Sequence, residues 1–336
     1  MNISVRKLAS IANVSTATVS MVLNNKPGIG ADTRKRVLDI AKQYGFEPAA
    51  ESSVVTREGK SIQLIMWNNH GLIIADNPFF TSITEGVIET CTQHGCSLNI
   101  VYVYASQDIA SQLESIKEKQ SDGYIVMATE MSGEDLPYLK VLDAPVVLLD
   151  GYFPGCGYDC VCINNFQAAA DAVDYLFSCG HRKIGYFQSN IFSTNFKERE
   201  AGYWASLHRH GEMLIPKEHL HPMKSLQDVS AVVNAPGFVP ADAYLVDADL
   251  LAVSVIKVLH DSGYRIPRDI SLISIDDMPF SEALMPSLTT MRVDKKELGI
   301  AAVQRLIYRI ANPKEKVSVL LQSTSLIIRD SVARRA

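Results

Sequence analysis

The chain has 336 residues, 47% of them hydrophobic and 21% charged. That length calls for two or three domains of roughly 100–200 residues each, and the composition excludes disordered, collagenous and coiled-coil proteins. The net charge of −5 hides an asymmetry: residues 1–60 carry nine Lys/Arg against five Asp/Glu, a balance of +4, whereas the rest of the chain stands at −9.

A basic first segment on an acidic body points to a polyanion meeting that segment alone. No apolar run approaches the roughly 20 residues that span a bilayer. No hydrophobic region follows Arg6 and Lys7, so a cytoplasmic protein without a secretory signal is expected.

Residues 4–45 read as three short helices. Val5, Leu8, Ala9 and Ala12 recur at helical spacing on one face, with Ser4 as the N-cap. Asn13 stands where a tight turn needs a residue tolerant of the left-handed region. Ser15 caps a second helix whose inward residues are Val19, Val22 and Leu23, leaving Thr16, Ala17, Ser20 and Met21 outward. The third helix spans about 31–44, with Val37, Ile40, Ala41 and Tyr44 buried and Gly45 as its stop. Three small helices with a sharp first turn match a helix-turn-helix unit, and a plain helical cap on a larger enzyme is the other reading.

The string from Val5 to Ser20 (VRKLASIANVSTATVS), with Val22, Leu23 and Asn24, resembles the DNA-binding segment of the lac-repressor/galactose-repressor family. So do Thr33, Arg34, Val37 and the run Tyr44 to Pro48. The resemblance implies that the second helix enters the major groove. Thr16, Ala17 and Met21 would face base edges, while Ser15, Thr18, Ser20, Asn24 and Thr33 would donate to phosphates. Ser4 and Arg6 join the DNA-contacting set. Met21 stands where the family usually has Arg, and a thioether cannot make the bidentate contact to guanine. Readout is then expected to lean on thymine methyls and on Arg6. After Pro48 the family's Asn-Arg linker is replaced by AAESSVVT at 49–56. Val55 falls at the position of the minor-groove wedge, and the other reading of this stretch is a flexible tether.

From residue 61 the pattern becomes α/β. The runs 62–66, 98–103, 124–127 and 146–149 read as buried parallel strands, with helices at 79–94 and about 110–119 between them. The rhythm repeats with strands at 183–187, 243–246 and 270–275 and helices near 166–179, 196–211 and 250–263. Two doubly wound lobes in succession place a ligand crevice at the strand C-terminal ends. The resemblance gives the same periplasmic-binding-protein-like core. It is carried by Arg199-x-x-Gly202, the run 266–271, the Pro286-to-Thr290 string, Leu298-Gly299 and the run 326–331. The expected domains are 1–48 as the head, 49–60 as the linker, 61–162 with 292–322 as the first lobe, and 163–291 with 323–336 as the second.

The resemblance places effector-binding candidates in that crevice. Phe79 and Phe80 could stack on a sugar or base, or serve the core. Asp150, Arg199 and Asp276 are suited to fixing hydroxyls by charge-assisted bonds, or could be structural ion pairs. Asp249 completes the set in a pair that the family usually reads Asn-Asp and that here reads Ala248-Asp249. Losing that amide points to an effector that differs from simple hexoses and purines. Asn164-Asn165 replaces a common Asp-Asn, and Trp67 is either a stacking surface or core.

Cys156, Cys160 and Cys162 lack the paired knuckles of a structural zinc site, so reduced thiols are expected. There is no G-x-S-x-G, H-E-x-x-H or P-loop string, and Gly28-Ile29-Gly30 follows no strand. Neither metal nor cofactor nor enzymatic activity is expected. The expectation is a ligand-responsive repressor that binds a near-palindromic operator as a homodimer and senses a carbohydrate or, alternatively, a nucleobase or nucleoside. An activator in place of a repressor is a further alternative. A solute-binding protein or enzyme is the distant rival. The absence of a heptad tail after Ser331 favours the dimer over a tetramer.

Overall fold

A computed structural model describes residues 30–43, 59–74, 77–211, 220–223 and 226–335, together with Ala9, Ile11, Ala12, Val14, Ser15, Thr18, Val19 and Val22. The chain divides into two compact units, 1–58 and 59–336.

In the first unit the buried set is Ala9, Ala12, Val19, Val22, Val37 and Ala41, with Val14, Leu38 and Ile40 packed around it. These are the inward positions that helical spacing selects. The Ser15 hydroxyl accepts from the Thr18 amide at 3.0 Å, as an N-cap does. Helix α1 (Ala31–Gln43) supplies Val37 and Ala41. Ser4, Arg6, Thr16, Ala17, Ser20, Met21, Asn24 and Val55 lie outside the described residues.

The second unit alternates strands and helices in two lobes. The first contains β1 (Ser61–Asn68), α2 (Pro78–Gln93), β2 (Ser97–Tyr104), α3 (Ile109–Lys117), β3 (Gly123–Met127), β4 (Val146–Leu149) and β5 (Asp159–Ile163). The second contains α4 (Asn165–Ser178), β6 (Ile184–Ser189), α5 (Thr194–Arg209), β7 (Leu220–Met223), α6 (Leu226–Val233), β8 (Ala243–Val246), α7 (Asp249–Asp261), β9 (Ser271–Asp276) and β10 (Thr289–Arg292). Helix α8 (Lys295–Ala311) and β11 (Val319–Gln322) return to the first lobe, and β12 (Ser325–Ile327) to the second. The backbone therefore crosses between lobes three times, after β5, β10 and β11.

The first sheet runs β11-β5-β4-β3-β1-β2 and the second β12-β10-β9-β8-β6-β7. All pairs are parallel except β10 with β12. The order reverses at β1 in one sheet and at β6 in the other, and a crevice opens at such a switch point. Strand β2 departs from the expected buried run. It is an edge strand with Ile100, Tyr102 and Tyr104 exposed. As the outermost of the six strands it pairs on one side only, with β1, among the described residues.

Each lobe is tightened by one helix pair. A side chain at Gly86 on α2 would collide with the Lys296 carbonyl on α8, and one at Gly299 with the Ile83 carbonyl. In the second lobe Gly202 on α5 lies against the Phe166 carbonyl of α4. Buried Asp159 ties β5 to α8 and β11, accepting from Arg305 Nε at 2.8 Å, Arg309 Nε at 2.6 Å and the Ser318 amide at 2.7 Å. Trp67 is fully buried core, and all six cysteines are free thiols.

Candidate functional site

The strand ends converge on a cavity between the two lobes of the second unit, and three of the residues there are in left-handed or otherwise positive-φ backbone without being glycine. Asp150 follows β4 at φ 57°, Asp276 closes β9 at φ 125°, and Asp277 follows at φ 53°. Such conformations cost about 1–3 kcal/mol each and persist where the surroundings over-determine them. Lys295 supplies part of that hold, donating from Nζ to the carbonyls of Asp276, Asp277 and Val293. Burial and neighbouring Arg292 lower the Lys295 ammonium below its usual range, although the aspartates around it pull the other way. Arg292 and Arg329 pair with the Asp277 carboxylate at 2.6 and 2.7 Å.

Arg199 stands on the first turns of α5 with every nitrogen engaged. Its Nε donates to Asn165 Oδ1 at 2.8 Å, Nη1 to the Asp247 carbonyl, and Nη2 to Asp276 Oδ1 at 3.3 Å. Asp150 accepts from the Thr129 hydroxyl at 2.7 Å and from Asn195 Nδ2 at 3.1 Å. Asp247, at the end of β8, accepts from the Tyr186 hydroxyl and the Ser189 amide. Burial pushes Asp150 and Asp247 up to about 6 and Asp276 up to about 7, against the pull of Arg199.

Of the expected effector residues, Phe79, Phe80, Asp150, Arg199 and Asp276 all line one cavity, with Ala248, Thr129, Ser193 and Asn195. The two phenylalanine rings meet edge to face, 5.1 Å apart. Asp249 is a correction. Its carboxylate turns away into the second lobe, accepting from the Met278 amide at 2.9 Å and from the hydroxyls of Ser281 and Thr290. The residue two positions earlier, Asp247, is the strand-end carboxylate on the cavity side. Asn164 caps α4 by accepting from the Gln167 amide, and Asn165 is the partner of Arg199 Nε.

Besides Asp247, three residues escape sequence reasoning. Phe196 lies under the Arg199 guanidinium at 5.5 Å from its ring centre and shares the cavity wall. Asn195 bridges to Asp150 across the lobes. Buried Glu130, just past β3, accepts from five amides of the 69–74 loop, those of Asn69, His70, Gly71, Ile73 and Ile74, at 2.9–3.1 Å. Burial raises Glu130, but these five bonds together win and hold it below its usual range. A Glu at a strand's C-terminal end was the available signal. Among the described residues no group of three or more His, Cys, Asp or Glu side chains is placed to hold a metal ion.

Residues 5–49 match the family described as bacterial regulatory proteins, lacI family, and residues 173–332 match the periplasmic binding protein-like domain. The chain belongs to the lacI family. It is a DNA-binding transcriptional regulator and not an enzyme.

This lacI-family chain is 26% identical over 346 residues to the probable HTH-type transcriptional repressor ExuR of Bacillus subtilis (strain 168), covering 99% of both. Two solved structures share the fold of this regulator. A transcriptional regulator CelR–cellobiose complex matches with TM-score 0.70 and 22% identity over 98% of this chain and 100% of that one. The lac repressor dimer bound to operator and the anti-inducer ONPF matches with TM-score 0.72 and 21% identity over 99% and 100%. No described helix of the regulator is long and apolar enough to cross a membrane.

Proposed function

We propose that this repressor acts in the cytoplasm, binds a near-palindromic operator as a homodimer, and senses a neutral, hydroxyl-rich molecule, a sugar or sugar derivative, in the cleft. The observation that carries the effector class is the charge of the cavity wall. Asp150, Asp247 and Asp276 surround the single guanidinium of Arg199. Carboxylates accept from hydroxyls, the guanidinium donates to them, and the phenylalanine faces suit the C–H side of a sugar ring. An anionic uronate or phosphate would meet three carboxylates and be repelled. The cellobiose and ONPF complexes of the structural neighbours support a glycoside-sized occupant.

In the head, Ser15, Thr18 and Thr33 are phosphate donors together with Ser4, Ser20 and Asn24. Thr16, Ala17, Met21 and Arg6 face base edges, and Val55 enters the minor groove. Two such heads set about 34–36 Å apart read successive major grooves. A change of lobe arrangement on effector binding is transmitted through 49–60. The test is a thermal-shift screen of the purified chain against neutral sugars, uronates, sugar phosphates and nucleosides. Stabilisation by at least one neutral sugar and by no phosphate is expected; stabilisation by anionic ligands alone overturns the reading.

A further inference from the structure

The cavity has two compartments of opposite character. The inner one, about 50 Å³, holds Asp150, Arg199 and the two phenylalanines. The outer one, about 200 Å³, is walled by Leu72, Ile191, Met223, Leu250, Leu251 and Met278. They are continuous, since Ile73, Asn77, Phe196, Ala248 and Asp276 border both. At about 50 Å³ the inner space admits little more than a water or two. A ring seated on Asp276 and Arg199 therefore extends toward the outer space.

Polar partners are scarce there. Asp247 already has both carboxylate oxygens bonded within its own lobe. Asn77 is taken by capping α2, accepting from the Phe79 amide and donating to the Ile73 carbonyl. Ser189 and Ser254 supply the remaining side-chain hydroxyls of that wall. Ala248 makes the passage itself apolar. Leu72 and Leu250, one from each lobe, stand 62% and 54% exposed at this compartment, an exposure that an apolar ligand group would remove.

We propose that the effector is a two-part molecule: a hydroxyl-rich head on Asp276 and Arg199, and an apolar alkyl or aryl substituent lying between Leu72 and Leu250. A second sugar ring in that place would give up its hydration for few bonds, whereas an apolar group gains by leaving water. This rests on the sugar-sensing reading above.

The experiment titrates the full-length chain by calorimetry with a panel of free pentoses and hexoses, their methyl, butyl and phenyl glycosides, and the corresponding disaccharides. For the sugar that binds, affinity is expected to rise about fourfold per buried methylene, so that the butyl and phenyl glycosides exceed the methyl glycoside at least tenfold. The disaccharide falls below them. The double variant Leu72→Ser, Leu250→Ser is expected to cut the phenyl-to-methyl affinity ratio at least threefold. Equal affinity across the glycosides, a disaccharide as the tightest ligand, or an unchanged ratio in the variant overturns the two-part effector and leaves sugar sensing standing. No binding by any member of the panel overturns both.

Discussion

Asn195, at the start of a second-lobe helix, donates from Nδ2 to both the carbonyl and Oδ1 of Asp150 on the first lobe, at 3.2 and 3.1 Å. Its neighbours on the same segment reach across as well. The Ser193 hydroxyl donates to the Thr129 carbonyl at 3.0 Å, and His70 Nε2 lies 3.3 Å from the Phe192 carbonyl. Residues 192–195 thus fasten one lobe to the other beside the effector cavity, and the fastening uses the very carboxylate that would receive a ligand hydroxyl. Asn195→Ala is expected to cost about 1–3 kcal/mol of core stability through the unsatisfied buried Asp150. It should also loosen lobe closure, read as a larger radius of gyration by small-angle scattering. An unchanged radius would show that the remaining bonds suffice.

Arg199→Ala is expected to abolish the effector response while operator affinity stays within about threefold, because the guanidinium serves only the second lobe and its cavity. Operator titration with and without the best ligand of the sugar screen checks this. A response at the same ligand concentration would remove Arg199 from the binding role. Folding of the variant is verified by circular dichroism, since three buried carboxylates lose their common cation.

The pH dependence of stability follows from the same carboxylates. Asp150 and Asp247 titrate at about 6 and Asp276 at about 7 in the folded chain, against 3.8 as the ordinary value. Between those limits the folded state holds more protons than the unfolded one, so stability falls as pH rises from about 4 to about 7 and levels off above. Glu130, Asp159 and Asp277, held below their ordinary values, act in the opposite sense at more acid pH, and buried His181, lowered from 6.5, opposes the three aspartates below about pH 6.5. Melting temperatures between pH 5 and 8 should therefore decline in the parent chain and decline less steeply in Asp276→Asn. A steeper decline in the variant would contradict the assignment.

Operator affinity is expected to fall with salt at a log–log slope of about −0.9 per phosphate neutralised. A flat response between about 50 and 200 mM salt would refute phosphate neutralisation by the lysines and arginines of residues 1–60.

Replacing Thr16, Ala17 and Met21 together is expected to redirect the sequence selected from a random duplex pool, with each altered base contact worth about 1–3 kcal/mol. The same consensus emerging from parent and variant would take these three out of base reading.

Much of the architecture is written in the chain, for identifiable reasons. Strands β1, β3, β4 and β8 are covered on both faces, so they read as apolar runs, broken in β1 by the buried Gln63. Strand β5 hides behind Asp159, whose buried carboxylate is satisfied by arginines 146 and 150 residues away and by the Ser318 amide 159 residues away. Strand β7 (LHPM) carries a Pro that its sheet-edge place tolerates. Strand β11 keeps Val319, Leu320 and Leu321 exposed, so no alternation marks it. The cavity is legible where a charged residue ends an apolar strand, as at Asp150 and Asp276. It is illegible at Asn195 and Phe196, which gain their meaning from the opposite lobe, and at Asp249, whose polar partners lie 29, 32 and 41 residues downstream.

The triple passage of the backbone between the halves restricts what an occupant can do to them. Three covalent threads through one seam forbid separation and sliding, and leave twisting as the cheap motion. On the proposed reading, recognition in the crevice becomes a change of angle between the lobes, a quantity that a pair of tethered heads on a helical duplex can register.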